Sequence, residues 1–374
     1  MNKIPFYRHD LGKPELDEIA RVLKGTILTT GEFVSEFENK FAGYLGCRNV
    51  VACMSCTGAM HIALTGLGVG PGDEVITTPM TFIATSAAII QAGAKPIFVD
   101  VEPDTGNIDV SCIEAAITAR TKAIIPVHLY GQMCDMRAMR KMADRHGLVI
   151  VEDSAHCVEG ERDGVKPGQL SEAACFSFFA TKNLACGEGG AVAVNDDTLA
   201  AKLRLLRTHG MTKTSSDREK EGYQHWDMVC MGWKYNMDNI HAAILLPQMK
   251  MIGEKWSRRQ HLVDRYISGL SGIRGLSWPR RLPGRHANHL FTVWVDVLQR
   301  DDVISKLGKQ GVPAVVNYRA IHQLTYFRDA FGLKRGDFPV AESIGDSTLT
   351  LPLFCSMTDE QVDEVCLALR ESIV

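Results

Sequence analysis

Between about residues 50 and 195, short runs of β-branched and apolar residues alternate with longer amphipathic stretches. The strand-like run VVACM is followed by the helix-like TGAMHIALTGLG, and KPIFVDVE is followed by DVSCIEAAIT. Parallel strands need long crossover connections, which are usually helical, so this alternation predicts an α/β domain with a mostly parallel sheet. Ligands of such domains collect at the carboxyl ends of the strands, where strand-to-helix turns expose backbone N–H groups. We therefore expect the binding site in those turns.

A different pattern follows the long helical stretch GWKYNMDNIHAAILLPQMKMIGEKWSRRQHLVDRYISGL, in which apolar residues recur every three or four positions. Beyond it come Pro279, Pro283 and Gly284, the strand-like HLFTVWVDV, a helix, the strand-like PAVVNY and a closing amphipathic helix. This order predicts a smaller α+β domain. We place the large domain at residues 1–250 and the small C-terminal domain at residues 251–374.

Composition argues against several classes of function. The 374 residues carry a formal net charge of −3 with no basic stripe, which argues against nucleic-acid binding. The N-terminal sequence lacks the apolar core of a secretory signal, and no run is apolar and long enough to span a membrane. Cys53 and Cys56 form a CxxC pair without a second Cys or His pair at zinc spacing, so we expect no metal site. These features predict a soluble, cytoplasmic protein whose eleven cysteines are mostly reduced and buried.

The most informative segment is CFSFFATKNLACGEGGAVAV, in which a strand, a polar break and a glycine-rich turn lead into another strand. The polar break contains Ser177, Thr181 and Lys182. A lysine there, beside glycines that let backbone approach a ligand closely, can present its amine to a pocket. On this segment alone, a solvated lysine in a hairpin turn is the commoner explanation.

Two further segments contain residues that could bind a ligand in the same pocket as Lys182. Asp153 ends the strand-like VIVED. A carboxylate at the end of a buried strand needs a cationic partner, and a protonated pyridine nitrogen would serve. The alternative is that Asp153 only caps a helix. In MSCTGAMHIAL, Ser55, Thr57 and Gly58 stand at a helix start, where N–H groups, hydroxyls and the helix dipole bind phosphate, although capping alone also explains them. An anion cradle, a carboxylate and a lysine together favour pyridoxal phosphate (PLP).

The chain resembles the DegT/DnrJ/EryC1/StrS family of sugar aminotransferases, which are PLP enzymes of the aspartate aminotransferase fold, fold type I. Besides the phosphate turn, the matching blocks are LTTGEFVSEFENKFAGYLG, TPMTFIATSAAI, VEDSAHCVEG, FSFFATKNLACGEGG, LRTHGM, GWKYNMDNIHAAI and NYRAIHQLTYF. Their order along nearly the whole chain makes the resemblance specific. It implies a large, mostly parallel sheet domain, a smaller α+β C-terminal domain, and PLP as the cofactor.

The resemblance also implies roles for individual residues. Lys182 forms the Schiff base and moves protons, and Asp153 pairs with the pyridine nitrogen. His156 lies near the ring and its phenolic oxygen, and Phe82 lies against one ring face, with core packing as the alternative for Phe82. The residues implied to hold the phosphate are Thr57, Gly58 and Ser177.

In similar proteins the segment matching GWKYNM reaches across a homodimer interface to the partner's phosphate, which assigns either Lys234 or Asn236 to the partner's site. Asn236 stands where many members have Arg, and KYN resembles members that aminate C4 of a UDP-linked 4-keto-6-deoxy sugar. The family implies L-glutamate as amino donor, a nucleotide-linked keto sugar as acceptor, and a place in amino-sugar and surface-polysaccharide biosynthesis. The candidate sugar contacts are Thr30, Tyr318 and His322, each with a structural role as the alternative.

The chain departs from the family pattern at Cys56 and Gly58, where Gly and Ala are more usual. We expect the phosphate cradle to persist because its donors are main-chain N–H groups. A related dehydratase subgroup has histidine at the position of Lys182, so this lysine favours transamination. The alternatives are amination of a 3-keto sugar nucleotide and, in a different class, a non-catalytic regulator that binds PLP or a sugar.

Overall fold

The large domain is built on a seven-stranded sheet. The computed structural model of the protein describes residues 4–213 and 225–373. The strands are β1 (Asn49–Cys53), β2 (Glu74–Thr77), β3 (Lys95–Phe98), β4 (Thr121–Ile124), β5 (Val149–Asp153), β6 (Ala173–Ser177) and β7 (Gly190–Val194). Their order across the sheet is β1-β7-β6-β5-β4-β2-β3, and only the two pairs that involve β7 are antiparallel. The predicted mostly parallel sheet is confirmed.

Helices cover both faces of this sheet because successive residues of a strand point to opposite sides. On β1, Val50 and Ala52 belong to one core and Val51 and Cys53 to the other. The α-helices up to residue 206 are α1 (Lys13–Lys24), α2 (Glu32–Leu45), α3 (Cys56–Gly66), α4 (Ala84–Gln91), α5 (Val110–Ile113), α6 (Met136–His146) and α7 (Asp197–Leu206). Residues of α2 fill the first core, and residues of α3 and α7 fill the second.

The C-terminal part forms a separate core around a two-stranded antiparallel sheet of β8 (Phe291–Trp294) and β9 (Thr348–Leu351). Its remaining α-helices are α8 (Asn239–Leu270), α9 (Arg300–Lys309), α10 (Thr325–Phe331), α11 (Pro339–Ser347) and α12 (Asp359–Ile373). Residues near the start of α8 pack in the large-domain core, and Leu262 and Tyr266 pack in the C-terminal core. The boundary predicted near residue 250 therefore lies inside one continuous helix.

Within the described ranges, no helix is both long and apolar enough to cross a membrane. The same ranges contain no group of three or more His, Cys, Asp or Glu side chains arranged to hold a metal ion. All eleven cysteines are free thiols, and most of them are buried.

Candidate active site

A pocket of about 430 Å³ opens where the carboxyl ends of several strands meet. The turns after β1, β5 and β6 contribute to its lining, as does the chain that follows β2. The sequence-predicted residues that line it are Thr57, Phe82, Asp153, His156, Ser177, Lys182 and Tyr318. The topology thus brings together side chains that are separated by up to 261 positions in the chain.

Lys182 lies in the connection between β6 and β7, with its side chain partly buried in this pocket. Removal of the amine from water lowers its pKa to about 8, against the opposing effect of the Asp153 carboxylate, which raises it. A pKa near 8 leaves a useful fraction of the amine neutral, and hence nucleophilic, near pH 7 to 8. The alternative of a solvated lysine in a hairpin turn is therefore wrong for Lys182.

Asp153 is buried at the end of β5, and neutral donors hold its carboxylate. The Thr85 hydroxyl donates to Oδ2 at 2.7 Å, and the Ala155 N–H donates to Oδ1 at 3.1 Å. No helix follows Asp153, because residues 154–160 form turns, so the helix-cap explanation is wrong. Among the described residues no ion pair neutralises this carboxylate, and its charge faces the pocket.

The preceding residue, Glu152, points to the opposite side of the strand. It is completely buried, and its Oε1 accepts the Gly168 N–H at 2.8 Å and the Ser171 hydroxyl at 2.5 Å. Its Oε2 lies 2.6 Å from Nε2 of His128. Of the two adjacent carboxylates, therefore, one is bound within the protein and only Asp153 is available to a ligand.

The turn from β1 into α3 has the structure of a capped helix N-terminus. The Ser55 hydroxyl accepts the N–H of Gly58 at 3.0 Å, which removes that N–H from the predicted phosphate cradle. The first N–H groups of a helix lack intrahelical partners, so Cys56 and Thr57, which line the pocket, supply the remaining donors. A Cβ at position 58 would lie 3.2 Å from the Tyr235 ring, which gives Gly58 a packing role.

Gly190, the first residue of β7, passes directly beside this turn. A Cβ built on it would lie 2.5 Å from the Cys56 nitrogen and 2.6 Å from the Ser55 oxygen, closer than real side chains approach backbone. We expect Gly190→Ala to lower the free energy of unfolding by about 1–3 kcal/mol and to weaken phosphate binding, because the turn must move. Denaturant unfolding and titration with PLP measure both effects.

Gly43→Ala is the matched control, since a Cβ at this position in the last turn of α2 meets no atom within 4 Å. It should bind PLP like the unmodified protein and be no less stable. Equal stability and PLP affinity of the two variants would show that the turn tolerates displacement.

His156 and Tyr318 form a polar pair on the pocket wall. The Tyr130 N–H donates to Nδ1 of His156 at 3.3 Å, so the ring proton resides on Nε2, which lies 3.2 Å from the Tyr318 hydroxyl oxygen. Burial holds the pKa of His156 well below its ordinary value and raises that of Tyr318. Both groups therefore stay neutral, and the Tyr318 oxygen accepts from His156 while its own proton is left for another acceptor.

Phe82 lies at the mouth of the pocket with 54% of its surface exposed, so the core-packing alternative is wrong. Its ring centroid is 5.9 Å from that of Tyr318. Ser177, at the end of β6, is buried, and its hydroxyl accepts the Phe179 N–H at 3.3 Å. The pocket thus offers an aromatic face at its entrance and polar groups at its base.

The predicted residues outside this pocket lining are Thr30, Gly58, Lys234, Asn236 and His322. The Asn236 amide donates to the Thr30 hydroxyl at 2.8 Å, and the exposed Lys234 amine donates to Asn236 Oδ1 at 2.6 Å. His322 is completely buried, with Nε2 2.9 Å from Glu342 and its ring centroid 4.9 Å from that of Phe338. Because His322 is buried and paired with the Glu342 carboxylate, its role in this chain is structural. Its geometry offers no support for a sugar contact.

Two residues that contact the predicted ones, Thr85 and His289, were not found from the sequence. Thr85 lies three positions after Phe82 in a block already singled out, but it is 68 positions from Asp153, and its contact with that carboxylate has no local sequence signal. His289 lies 3.4 Å from the Lys182 amine, but it is 107 positions away in the chain, and no local pattern connects the two residues.

Comparison with known proteins agrees with this geometry. The sequence model of the DegT/DnrJ/EryC1/StrS aminotransferase family matches residues 9–370. The chain belongs to this family. It is 40% identical to the spore coat polysaccharide biosynthesis protein SpsC of Bacillus subtilis (strain 168), over 99% of this chain and 97% of that protein.

Solved structures of sugar aminotransferases share the fold of this DegT/DnrJ/EryC1/StrS member. The putative sugar aminotransferase Spr1654 from Streptococcus pneumoniae, in its PMP and PLP forms, superposes with a TM-score of 0.93 at 30% identity, covering 99% of this chain and 98% of that one. DesV of S. venezuelae, in complex with a ketimine intermediate, has a TM-score of 0.89 at 36% identity, covering 96% and 93% of the two chains. PLP is therefore the cofactor of this aminotransferase.

The residues of the pocket fit this cofactor. A buried carboxylate without an ion-pair partner in the described chain suits a protonated pyridine nitrogen, and a partly neutral amine suits an aldehyde. The helix N-terminus of α3, held against Gly190, suits a phosphate group.

Proposed function

We propose that this aminotransferase moves the amino group of L-glutamate to C4 of a UDP-linked 4-keto-6-deoxy sugar, in amino-sugar and surface-polysaccharide biosynthesis. The observation that carries the proposal is the meeting of Lys182 and Asp153 in one pocket whose mouth is open beside Phe82. The relative SpsC, named for spore coat polysaccharide biosynthesis, supports the pathway. The Lys-Tyr-Asn sequence at residues 234–236 supports the C4 position.

The residues of the chain divide the chemical work among them. PLP, when bound, supplies an aldehyde carbon and an electron-withdrawing pyridinium ring. Lys182 would hold the cofactor through its amine, and the same amine, when free, would accept a proton from one carbon of the bound substrate–cofactor pair and return it to another. Asp153 would keep a proton on the ring nitrogen, and the N–H groups of Cys56 and Thr57, with Ser177, would bind the phosphate. Neutral His156 donates through Nε2 rather than carrying a charge beside the ring.

The proposal includes a homodimer in which the cluster of Thr30, Lys234 and Asn236 serves the partner's site. Lys234 is exposed, and within residues 4–213 and 225–373 its ammonium group contacts only Asn236, so it can exchange that contact for a phosphate oxygen. Nearby in sequence, Met228, Val229 and Met231 are 53%, 54% and 67% exposed. A run of exposed apolar side chains beside a polar cluster is typical of a protein–protein interface.

The acceptor assignment is tested by offering the enzyme ¹⁵N-labelled L-glutamate with UDP-linked 4-keto-6-deoxy sugars, their 3-keto isomers and the corresponding thymidine nucleotides. The expected result is ¹⁵N at C4 of a UDP-sugar, identified by mass spectrometry and NMR. Label at C3 would establish the 3-keto alternative. If glutamate aminates the bound cofactor but no nucleotide sugar takes up the label, the acceptor class is wrong although the enzyme is an aminotransferase.

A further inference from the structure

His289 approaches the Lys182 amine, and none of the roles proposed above involves it. Its Nε2 lies 3.4 Å from Nζ of Lys182, and the imidazole is buried. His289 stands just before β8, in the C-terminal part of the chain, whereas Lys182 belongs to the large domain. The contact therefore exists only when the two parts pack together.

The tautomer of His289 follows from its other neighbour, Asn183. The Asn183 amide nitrogen donates to Glu159 Oε2 at 2.9 Å and to the Ala287 carbonyl at 2.9 Å. Because both of these groups are acceptors, the amide nitrogen must face them, and the amide oxygen faces Nδ1 of His289 at 3.3 Å. An amide oxygen can only accept, so Nδ1 carries the proton. Nε2 consequently presents its lone pair to Lys182.

The same network is anchored behind Asn183. Glu159 and Arg259 form a buried ion pair, and the guanidinium also donates to Cys355 Sγ at 3.3 Å. Buried ion pairs and hydrogen bonds resist rearrangement, because breaking them would leave polar groups unpaired away from water. The orientation of the His289 ring is therefore built into the fold.

His289 stays neutral in this environment. Burial lowers its pKa well below the ordinary value, and the Lys182, His156 and Arg259 side chains lower it further. The His156 ring centroid is 4.5 Å from that of His289. A neutral ring with its lone pair on Nε2 can accept an N–H from Lys182 but has no proton to give it.

We propose that His289 is a positioning residue: its Nε2 accepts one N–H of the free Lys182 amine and thereby aims the nitrogen lone pair into the pocket. The role applies whenever Lys182 is not bonded to the cofactor, and it rests on the proposed assignment of Lys182 as the reactive lysine. The proton balance is simple. Lys182 takes and returns the transferred proton, and His289 gains none.

The first test uses the apoenzyme and does not depend on any substrate. The pH dependence of Lys182 labelling by an amine-acylating reagent, measured by mass spectrometry of its peptide, reports the pKa of the amine. An acceptor at Nε2 favours the ammonium form, so His289→Phe should lower that pKa by about one unit from its value near 8. His289→Gln, whose amide oxygen reaches the position of Nε2, should restore most of it.

The second readout is the half-reaction of the PLP-loaded enzyme with L-glutamate, followed by absorbance. We expect His289→Phe to slow it by on the order of 10- to 100-fold, with glutamine recovering most of the rate. His289→Ala replaces the phenylalanine variant if that protein does not fold. An unchanged labelling pKa together with a rate within about twofold of the unmodified enzyme overturns the inference. If the unmodified enzyme itself shows no Lys182-dependent PLP band, the lysine assignment fails instead.

Discussion

Lys182→Ala is expected to abolish the absorption band that bound PLP gives at about 410–430 nm and to lower amino transfer by at least about 10⁴-fold. The reason is chemical, since no other amine would occupy the position from which Lys182 both attaches the cofactor and moves the proton. Spectra recorded before and after addition of L-glutamate measure the first effect. Rapid mixing with glutamate measures the second.

Lys40→Ala is a suitable control, because Lys40 lies on the exposed side of α2 in an ion pair with Glu36. It should keep the band and the rate. If Lys182→Ala retained a band that glutamate discharges at a normal rate, another lysine would carry the chemistry and the candidate site would have to be reassigned. Loss of the band in both variants would indicate a folding defect.

Asp153→Asn should keep the shape of the site yet lower the rate of the glutamate half-reaction by on the order of 10²- to 10⁴-fold. The amide is neutral and cannot hold a proton on the pyridine nitrogen, although its oxygen can still accept from Thr85. The carboxylate also raises the pKa of Lys182, so its removal should shift the labelling pKa of that lysine further down from about 8. Stopped-flow absorbance and apoenzyme labelling measure the two effects.

Glu152→Gln is the informative control, because it alters the adjacent carboxylate on the other side of β5. It disturbs the contact with His128 and should lower the free energy of unfolding by about 1–3 kcal/mol. The half-reaction of the PLP-bound protein should change little. Equal rate losses in both variants would mean that burial, rather than the direction of the Asp153 charge, controls the rate.

Both predictions depend on a site completed by the C-terminal part of the chain. Tyr318 and His289 come from that part, and Lys182, Asp153 and His156 come from the large domain. The helix α8 belongs to both cores, so it connects the two parts mechanically. A substitution that loosens the C-terminal core is therefore expected to affect the site without touching it.

Much of the candidate site was determined by the sequence alone. Each of the three main signals is local: a lysine in a break between strands, a carboxylate ending a strand, and small residues at a helix start. Parallel strands bring their carboxyl ends to one edge, so local signals of this kind converge without any knowledge of distant contacts. For that reason the sequence alone predicts that Lys182, Asp153 and Thr57 lie close together.

Only the tertiary structure decided which groups remain available to a ligand. Side chains alternate along β5, so Asp153 faces the pocket and Glu152 faces the protein interior. The Ser55 hydroxyl, which caps α3, accepts the N–H of Gly58. His322 is buried and paired with Glu342, so it is not available to a ligand. His289 lies beside Lys182 although the two residues are 107 positions apart in the chain. A polar group that already has a hydrogen-bond partner inside the fold is not available to a ligand. Which partner it has depends on packing between distant segments, and no local pattern in the chain encodes that packing.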